Sequence, residues 1–302
     1  MQLRQLASSI RKGDRVALAK GITLAENDPA RASGLLALLG PPGRAFVVGV
    51  TGPPGTGKSS VVDRLIECYR RKGLKVGVIA VDPTSPITGG ALLGDRIRMT
   101  SHAGDRNVFI RSMASRGWSG GLSRATSQVI RLMDAAGFDL ILLETVGIGQ
   151  SDIEVVGVSH AVLVLLMPGL GDEIQVSKAG LLEVGDIYVV NKSDLEGADQ
   201  MVVSLLTLFR GRVRSPPVLR VSAVTGEGVD KLQSAIEEIR FKFTEGSPDL
   251  RLKSIRGIII ETARGAAMEK FASVSESRAD RLAREVMDGK ISVEAAAARL
   301  AP

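Results

Sequence analysis

The sequence predicts an α/β fold: a mainly parallel, helix-covered sheet with helical extensions at both ends. Three observations lead there. Between residues 45 and 244, short apolar runs alternate with helix-like stretches, the pattern of successive strand–helix–strand units. Hydrophobic residues make up 44% of the chain but aromatics only 3%. The apolar mass is therefore mostly Ala, Val, Ile and Leu, which suits parallel strands covered on both faces. A glycine-rich turn also follows the first run, and an open parallel sheet binds its ligand at such carboxyl strand ends.

The elements follow in chain order. Residues 1–40 hold short polar and amphipathic segments, and the turn-rich "LGPPGR" closes this N-terminal helical extension. Residues 41–246 form the α/β domain. Its apolar runs are "AFVVGVT", "KVGVIAVD", "FDLILLET", "HAVLVLLM", "DIYVVNK" and "PVLRVSA", each followed by a loop and a helix-like stretch. Residues 247–302 carry helical patterning without a strand signal. Asp288-Gly289-Lys290 marks a break, and Ser292 is placed to cap a last helix. This tail is expected to be a helical arm.

Composition narrows the function classes. The 302 residues suffice for one large domain with additions. No apolar run reaches the roughly 18 residues of a membrane span, and the N-terminus lacks the apolar core of a secretory signal. A single cysteine, Cys68, excludes an intramolecular disulfide. A cytoplasmic protein is expected. The net charge of +6 comes without a dense basic tract and with few aromatics to stack bases, so no nucleic-acid partner is expected.

The first run is followed by "GPPGTGKSS", comprising Gly52, Pro53, Pro54, Gly55, Thr56, Gly57, Lys58, Ser59 and Ser60. This matches G-x-x-x-x-G-K-S between a strand and a helix, as phosphate binding requires. Glycines let successive N–H groups turn inward toward phosphate oxygens. Lys58 reaches the outer phosphates, Ser59 offers a hydroxyl to Mg²⁺, and the helix contributes its N-terminal dipole. The competing reading is an ordinary Gly/Pro-rich turn. With the strand before and the helix after, the chain reads as a P-loop NTPase.

"NKSD" ends the fifth of the six runs. The Asp194 carboxylate can accept from guanine N1–H and the 2-amino group together, a donor pair that adenine lacks. Asn191 can donate to the ring edge or brace the loops, and the Lys192 stem can cover the base face. The next run ends in "VSAVTGEG", where Ser222-Ala223 resembles the last GTPase motif, in which a backbone N–H meets guanine O6; Val224 is counted with them as nucleotide-binding. Alone, "NKSD" is equally a polar strand-to-helix turn capped by Ser193 or Asp194. In this order after a phosphate loop, the motifs favour GTP over ATP.

Acids at strand ends suggest the metal site. Asp82 ends the second run, Asp95 lies thirteen residues on, and Glu144 ends the third. With Ser59 they supply the hard oxygen ligands that Mg²⁺ prefers. The loop from Asp82 to Asp95 is rich in turn formers and is expected to order around the γ-phosphate; an N-terminal helix charge is the plainer account of Asp95. In "ETVGIGQSD", Gln150 is a switch residue that could approach the γ-phosphate. "PGLGDEIQVSKAG" holds Asp172, Glu173 and Lys178, which suit a second cation or a switch reporting on a partner, although Lys178 is equally read as a solvated helix lysine. Cys68 reads as a small core residue and His160 as structural.

Together "GPPGTGKSS", "VDPTSPITGGALLGDRIRM", "SRGWSGGLSRAT", "ETVGIGQSD", "GDEIQVSKAG", "NKSD" and "VSAVTGEG" resemble the MeaB/ArgK (MMAA-like) family of GTPases, over about residues 35–300. The resemblance implies a GTPase that partners an adenosylcobalamin-dependent acyl-CoA mutase of the methylmalonyl-CoA type. It would gate cofactor loading and protect or reactivate the mutase, with an adenosyltransferase as a further partner. The resemblance implies a homodimer whose helical extensions help dimerisation, with GTP/GDP and Mg²⁺ as ligands; slow turnover raised by the partner is expected because no arginine finger is evident within the phosphate loop. It gives Lys58, Glu144, Gln150, Asp172 and Lys178 to hydrolysis and switching. Ser59, Asp82, Asp95 and Glu144 go to the metal, and Asn191, Lys192 and Asp194 to guanine. One departure is Val176-Ser177, where the family pattern has Gly-Ile before the lysine.

Two other readings share the fold. A metal-insertion GTPase needs soft or imidazole ligands, and this chain has one Cys and two separated His residues. An ATP-using kinase linked to amino-acid transport would need an acceptor site that no motif supplies. A third reading, a nucleotide-binding scaffold without hydrolysis, differs in activity.

Overall fold

The computed structural model describes residues 2–82, 100–102, 104–114, 124–145, 147, 151–169, 181–211, 215–245, 248–272 and 276–300. Three helices open the chain: α1 (Leu3–Arg11), α2 (Arg15–Asn27) and α3 (Pro29–Leu39). Asp14 caps α2 by accepting from the Ala17 N–H at 2.6 Å, and Asp28 caps α3 through the Arg31 N–H at 3.0 Å. Pro29, at the first helical position, costs no hydrogen bond there.

The central domain then alternates strand and helix. Its elements are β1 (Phe46–Thr51), α4 (Lys58–Arg71), β2 (Val76–Asp82), β3 (Val108–Ala114), α5 (Arg124–Ala135), β4 (Leu140–Glu144) and α6 (Ser151–Val158). β5 (Ala161–Leu166), α7 (Leu181–Val184), β6 (Ile187–Val190), α8 (Ala198–Leu208), β7 (Val218–Arg220) and α9 (Val229–Thr244) complete it. The seven strands form one sheet in the order β3-β2-β4-β1-β5-β6-β7. Every strand pair is parallel, so the described sheet is wholly rather than mainly parallel.

All six apolar runs read from the sequence become strands. The seventh, β3, carries no continuous apolar run. It lies at the sheet edge, its middle residues are half-buried, and Arg111 within it pairs with Glu26 of α2. An edge strand does not need the unbroken apolar run of a central one.

Alternate residues of the strands feed two cores, one on each face of the sheet. On one face Val47, Ile79, Ile141 and Val164 join Leu132 and Met133 of α5. Leu6, Ile10, Leu18 and Ile22 of the N-terminal helices share that cluster. On the other face Val48, Val78, Leu142 and Leu163 pack on Val62, Leu65 and Ile66 of α4 and Leu232 and Ile236 of α9. Cys68 is buried in this second core, as the sequence suggested.

After the sheet come α10 (Pro248–Ala272), α11 (Glu276–Met287) and α12 (Val293–Leu300). Helix α10 meets α6 so closely that a Cβ on Gly257 would lie 2.1 Å from the Gly157 carbonyl oxygen. Between α11 and α12, Gly289 takes a left-handed φ of 69° and Ser292 caps the last helix through the Ala295 N–H at 3.1 Å. No helix among the described residues is long and apolar enough to cross a membrane.

Candidate nucleotide site

Sheet order brings the described ones among the predicted site residues to one edge of the sheet. β1 lies between β4 and β5, and in register Val50 stands beside Glu144 and Thr51 beside Val164. The chain leaving β1 therefore runs into the phosphate loop directly beside the carboxyl end of β4. Gly52 has φ 139°, and a Cβ there would fall 2.1 Å from the Leu165 carbonyl oxygen, so no side chain fits. Gly55 and Gly57 take left-handed φ values of 81° and 85°, conformations glycine adopts at no steric cost. The loop curls back and α4 begins at Lys58.

Lys58 is buried, and its ammonium is held over the loop by the carbonyl oxygens of Gly52 at 2.8 Å and Pro53 at 3.2 Å. The Ser59 hydroxyl donates to Glu144 Oε1 at 2.6 Å. A bond this short to a carboxylate is charge-assisted, and Glu144 is only 4% exposed. The serine of the phosphate loop and the acid at the end of β4, 85 residues apart, thus form one contact. β2 flanks β4 on its other side, with Ala80 opposite Glu144. Asp82 ends β2 two residues further on, at the same sheet edge.

A hydroxyl and a buried carboxylate are the hard oxygen donors that Mg²⁺ takes, so this pair fits such an ion. Among the described residues no group of three or more His, Cys, Asp or Glu side chains is clustered to hold a metal. Asp95, Gln150, Asp172 and Lys178 lie outside the described residues, as does Trp118; of Asp82 only the backbone is described.

Gly147 is a site residue that the sequence reading passed over. Its φ is 81°, and a Cβ there would sit 2.0 Å from the Gly52 carbonyl oxygen and 2.6 Å from Lys58 Nζ. The chain leaving β4 therefore presses its backbone onto the phosphate loop. The signal was present in the two glycines of "VGIGQ", but only the fold shows which one makes contact.

The residues expected to read the base converge from two other strand ends. Asn191 follows β6; its Nδ2 donates to the Thr56 carbonyl at 2.7 Å and its Oδ1 accepts from the Ala223 N–H at 3.2 Å. Of the two roles open to it, the structure shows the brace: Asn191 ties the phosphate loop to the "SAV" loop. Lys192 has φ 56°, the only left-handed non-glycine among the described residues. Such a residue stores about 1–3 kcal/mol of strain and persists where its surroundings over-determine it. Asp194 Oδ1 accepts from the Ser222 hydroxyl at 2.6 Å, and this bond holds its carboxyl below the usual carboxylate range. The group is thereby kept ionised and able to accept from two guanine donors.

A separate cleft of about 830 Å³ opens at the amino ends of β5–β7, far from the phosphate loop. Its walls carry Lys231 and Lys242 together with Glu183 and Glu238, so no single ligand charge is selected.

Comparison with known proteins agrees with this geometry. The family described as "Methylmalonyl Co-A mutase-associated GTPase MeaB" matches residues 18–262. A Pyrococcus horikoshii protein is 50% identical over 257 residues, covering 82% of this chain and 81% of its own. GTPase ArgK of Escherichia coli is 38% identical over 267 residues, covering 83% and 80%. A crystal structure described as an LAO/AO transport system kinase superposes with a TM-score of 0.71 at 26% identity, over 99% of this chain and 96% of that one. A phosphate loop backed by Glu144, a "SAV" loop braced on it through Asn191, and a family match across most of the chain lead to one conclusion: this protein is a P-loop GTPase and belongs to the MeaB family.

Proposed function

We propose that this GTPase is a chaperone of an adenosylcobalamin-dependent acyl-CoA mutase of the methylmalonyl-CoA type, gating cofactor loading and protecting or reactivating the mutase. The observation that carries the reading is the match of a mutase-associated family to the whole nucleotide-binding core. An adenosyltransferase is a further partner in this reading, and the cytoplasm is its working compartment.

Each site residue then has a task. Lys58 exchanges its two carbonyl partners for outer phosphate oxygens, which its position over the loop allows. The loop N–H groups and the α4 dipole orient the same phosphates. Asp194 and the "SAV" loop select guanine. Ser59 and Glu144, with Asp82 and Asp95, hold Mg²⁺, which when bound offsets the charge of the transferring phosphate. Burial keeps Glu144 aimed at Ser59 and limits water beside the metal position. Gln150, Asp172 and Lys178 are assigned to the switches that respond to the mutase. Residues 1–40 and 247–302 flank the GTPase domain as extensions, and the second serves as the arm of a homodimer.

The test is GTP hydrolysis by the purified protein with and without the adenosylcobalamin-dependent mutase, combined with co-elution of the two. Slow turnover alone, raised at least several-fold in a stable complex, is the expected result. Fast turnover indifferent to the mutase, with no complex, would sink the chaperone reading. The transport-kinase reading is tested separately: ATP displacing a labelled GTP analogue as well as GTP does would reverse the base assignment.

A further inference from the structure

Arg64 lies on α4, six residues after Lys58, where a charged residue would ordinarily be read as solvated. Its guanidinium instead reaches the base-reading loop. Nε donates to the Ala223 carbonyl at 2.7 Å and Nη2 to the Val224 carbonyl at 3.0 Å. Nη1 is steadied by Glu67 at 3.2 Å, one turn along the same helix. The planar fork thus spans two successive carbonyls of the "SAV" loop, a geometry a lysine cannot reproduce.

This clasp has a direct effect on the backbone. Across a trans peptide the N–H points opposite to the C=O. Fixing the Ala223 carbonyl on Arg64 therefore aims the Val224 N–H away from α4. The neighbouring N–H groups are already engaged: that of Ala223 with Asn191 Oδ1 at 3.2 Å and that of Thr225 with the Ser222 hydroxyl at 3.3 Å. Arg64 sets the directions of both the Val224 and the Thr225 N–H through the carbonyls it holds, but the Thr225 N–H is engaged by the Ser222 hydroxyl, so Val224 N–H is the donor that Arg64 orients and for which neither of those acceptors competes. The same helix begins with Lys58 and Ser59, so one rigid element holds the phosphate end and the base-reading loop in fixed relation.

We infer that Arg64 is a positioning residue for guanine recognition, setting the backbone donor that meets the base's 6-carbonyl. The inference rests on the assignment of the "SAV" loop and Asp194 to the guanine ring. Its test compares GTP with 6-thioguanosine triphosphate, which keeps the ring donors but offers a weak sulfur acceptor. The wild-type protein is expected to prefer GTP on the order of tenfold, the worth of one hydrogen bond. In Arg64→Ala the preference collapses toward one. KM for GTP rises about five- to tenfold while kcat stays within about twofold. Arg64→Lys recovers only part of the preference. Arg64→Gln, which keeps the stem and one donor, serves if the alanine variant does not fold, and should also lose most of it. An undiminished preference for GTP over the thio analogue, or a loss falling on kcat rather than KM, overturns the role of Arg64. Asp194→Ala with ITP, which lacks the 2-amino group, separates the two failures. If that variant discriminates GTP from ITP as wild type does, the base-site reading itself fails. If it loses that discrimination while Arg64→Ala changes nothing, only the Arg64 inference falls.

Discussion

Glu144 and Gly147, three residues apart, serve the phosphate loop in different ways. Glu144 contributes chemistry, a buried carboxylate on the Ser59 hydroxyl. Gly147 contributes the absence of a side chain, which lets its backbone rest on Gly52 and Lys58. Glu144→Gln keeps the shape but removes the charge. It should reduce Mg²⁺-dependent hydrolysis by about 100-fold or more, as losses of positioned electrostatic groups do, while changing GDP affinity by less than about tenfold. Parallel measurement of single-turnover hydrolysis and GDP binding checks this, and equal loss of both would count against a metal role. Gly147→Ala should also be severe, because the methyl group meets a backbone oxygen and an ammonium and the φ of 81° is strained for alanine. Strain of about 1–3 kcal/mol predicts roughly a five- to 160-fold loss of GTPase rate. Little change in the melting temperature of the nucleotide-free protein is expected, because the clash can be relieved by moving the loop. Glu144 was legible in the sequence from its strand-end position. Gly147 was not, because a close approach between residues 95 positions apart leaves no local trace.

At the scale of elements, α10 leaves large apolar side chains uncovered. Leu252, Ile255 and Ile259 fall on one side of it at helical spacing, and their exposures are 66%, 36% and 61%. Three large apolar residues on one exposed stripe suit a second copy of the chain in the proposed dimer. Replacing Leu252 and Ile259 together by Asp should convert a dimer to a monomer in size-exclusion chromatography with light scattering. The melting temperature of the GTPase domain should move by only a few degrees, since neither residue is in the core. A wild-type protein that runs as a monomer would sink the arm assignment. The helical tail, its break at Gly289 and its cap at Ser292 could all be read from sequence because caps and breaks are local. β3 could not, because an edge strand with Arg111 in its middle owes its state to pairing with β2.

At the scale of the whole molecule, His160 reports on the joint between the sheet and the helices below it. It stacks on Phe46 at 5.4 Å, lies 4.1 Å from Phe243 of α9, and accepts the Val47 N–H on Nδ1 at 2.8 Å. Burial pushes its imidazole down from 6.5 to about 4. The unfolded chain therefore takes up a proton below pH 6.5 that the folded chain refuses until about pH 4. The contribution is complete above pH 6.5 and is lost as the pH falls toward 4, amounting to about 3 kcal/mol. Urea unfolding at pH 7.5 and pH 5 should show the decline, and His160→Gln, which keeps an acceptor for Val47, should flatten it. An equal decline in the variant would assign the effect to other groups. The sequence by itself determined the α/β class, the nucleotide, and the residue types at each strand end, because period, turn chemistry and short motifs are properties of neighbouring residues. Only the tertiary structure decided that Ser59 meets Glu144, that Asn191 ties the phosphate loop to the "SAV" loop, that Gly147 rests on Gly52, and that Arg64 clasps the Ala223 and Val224 carbonyls. Those contacts join segments 32 to 160 residues apart, and strand order and register, not local pattern, set which distant residues share a sheet edge.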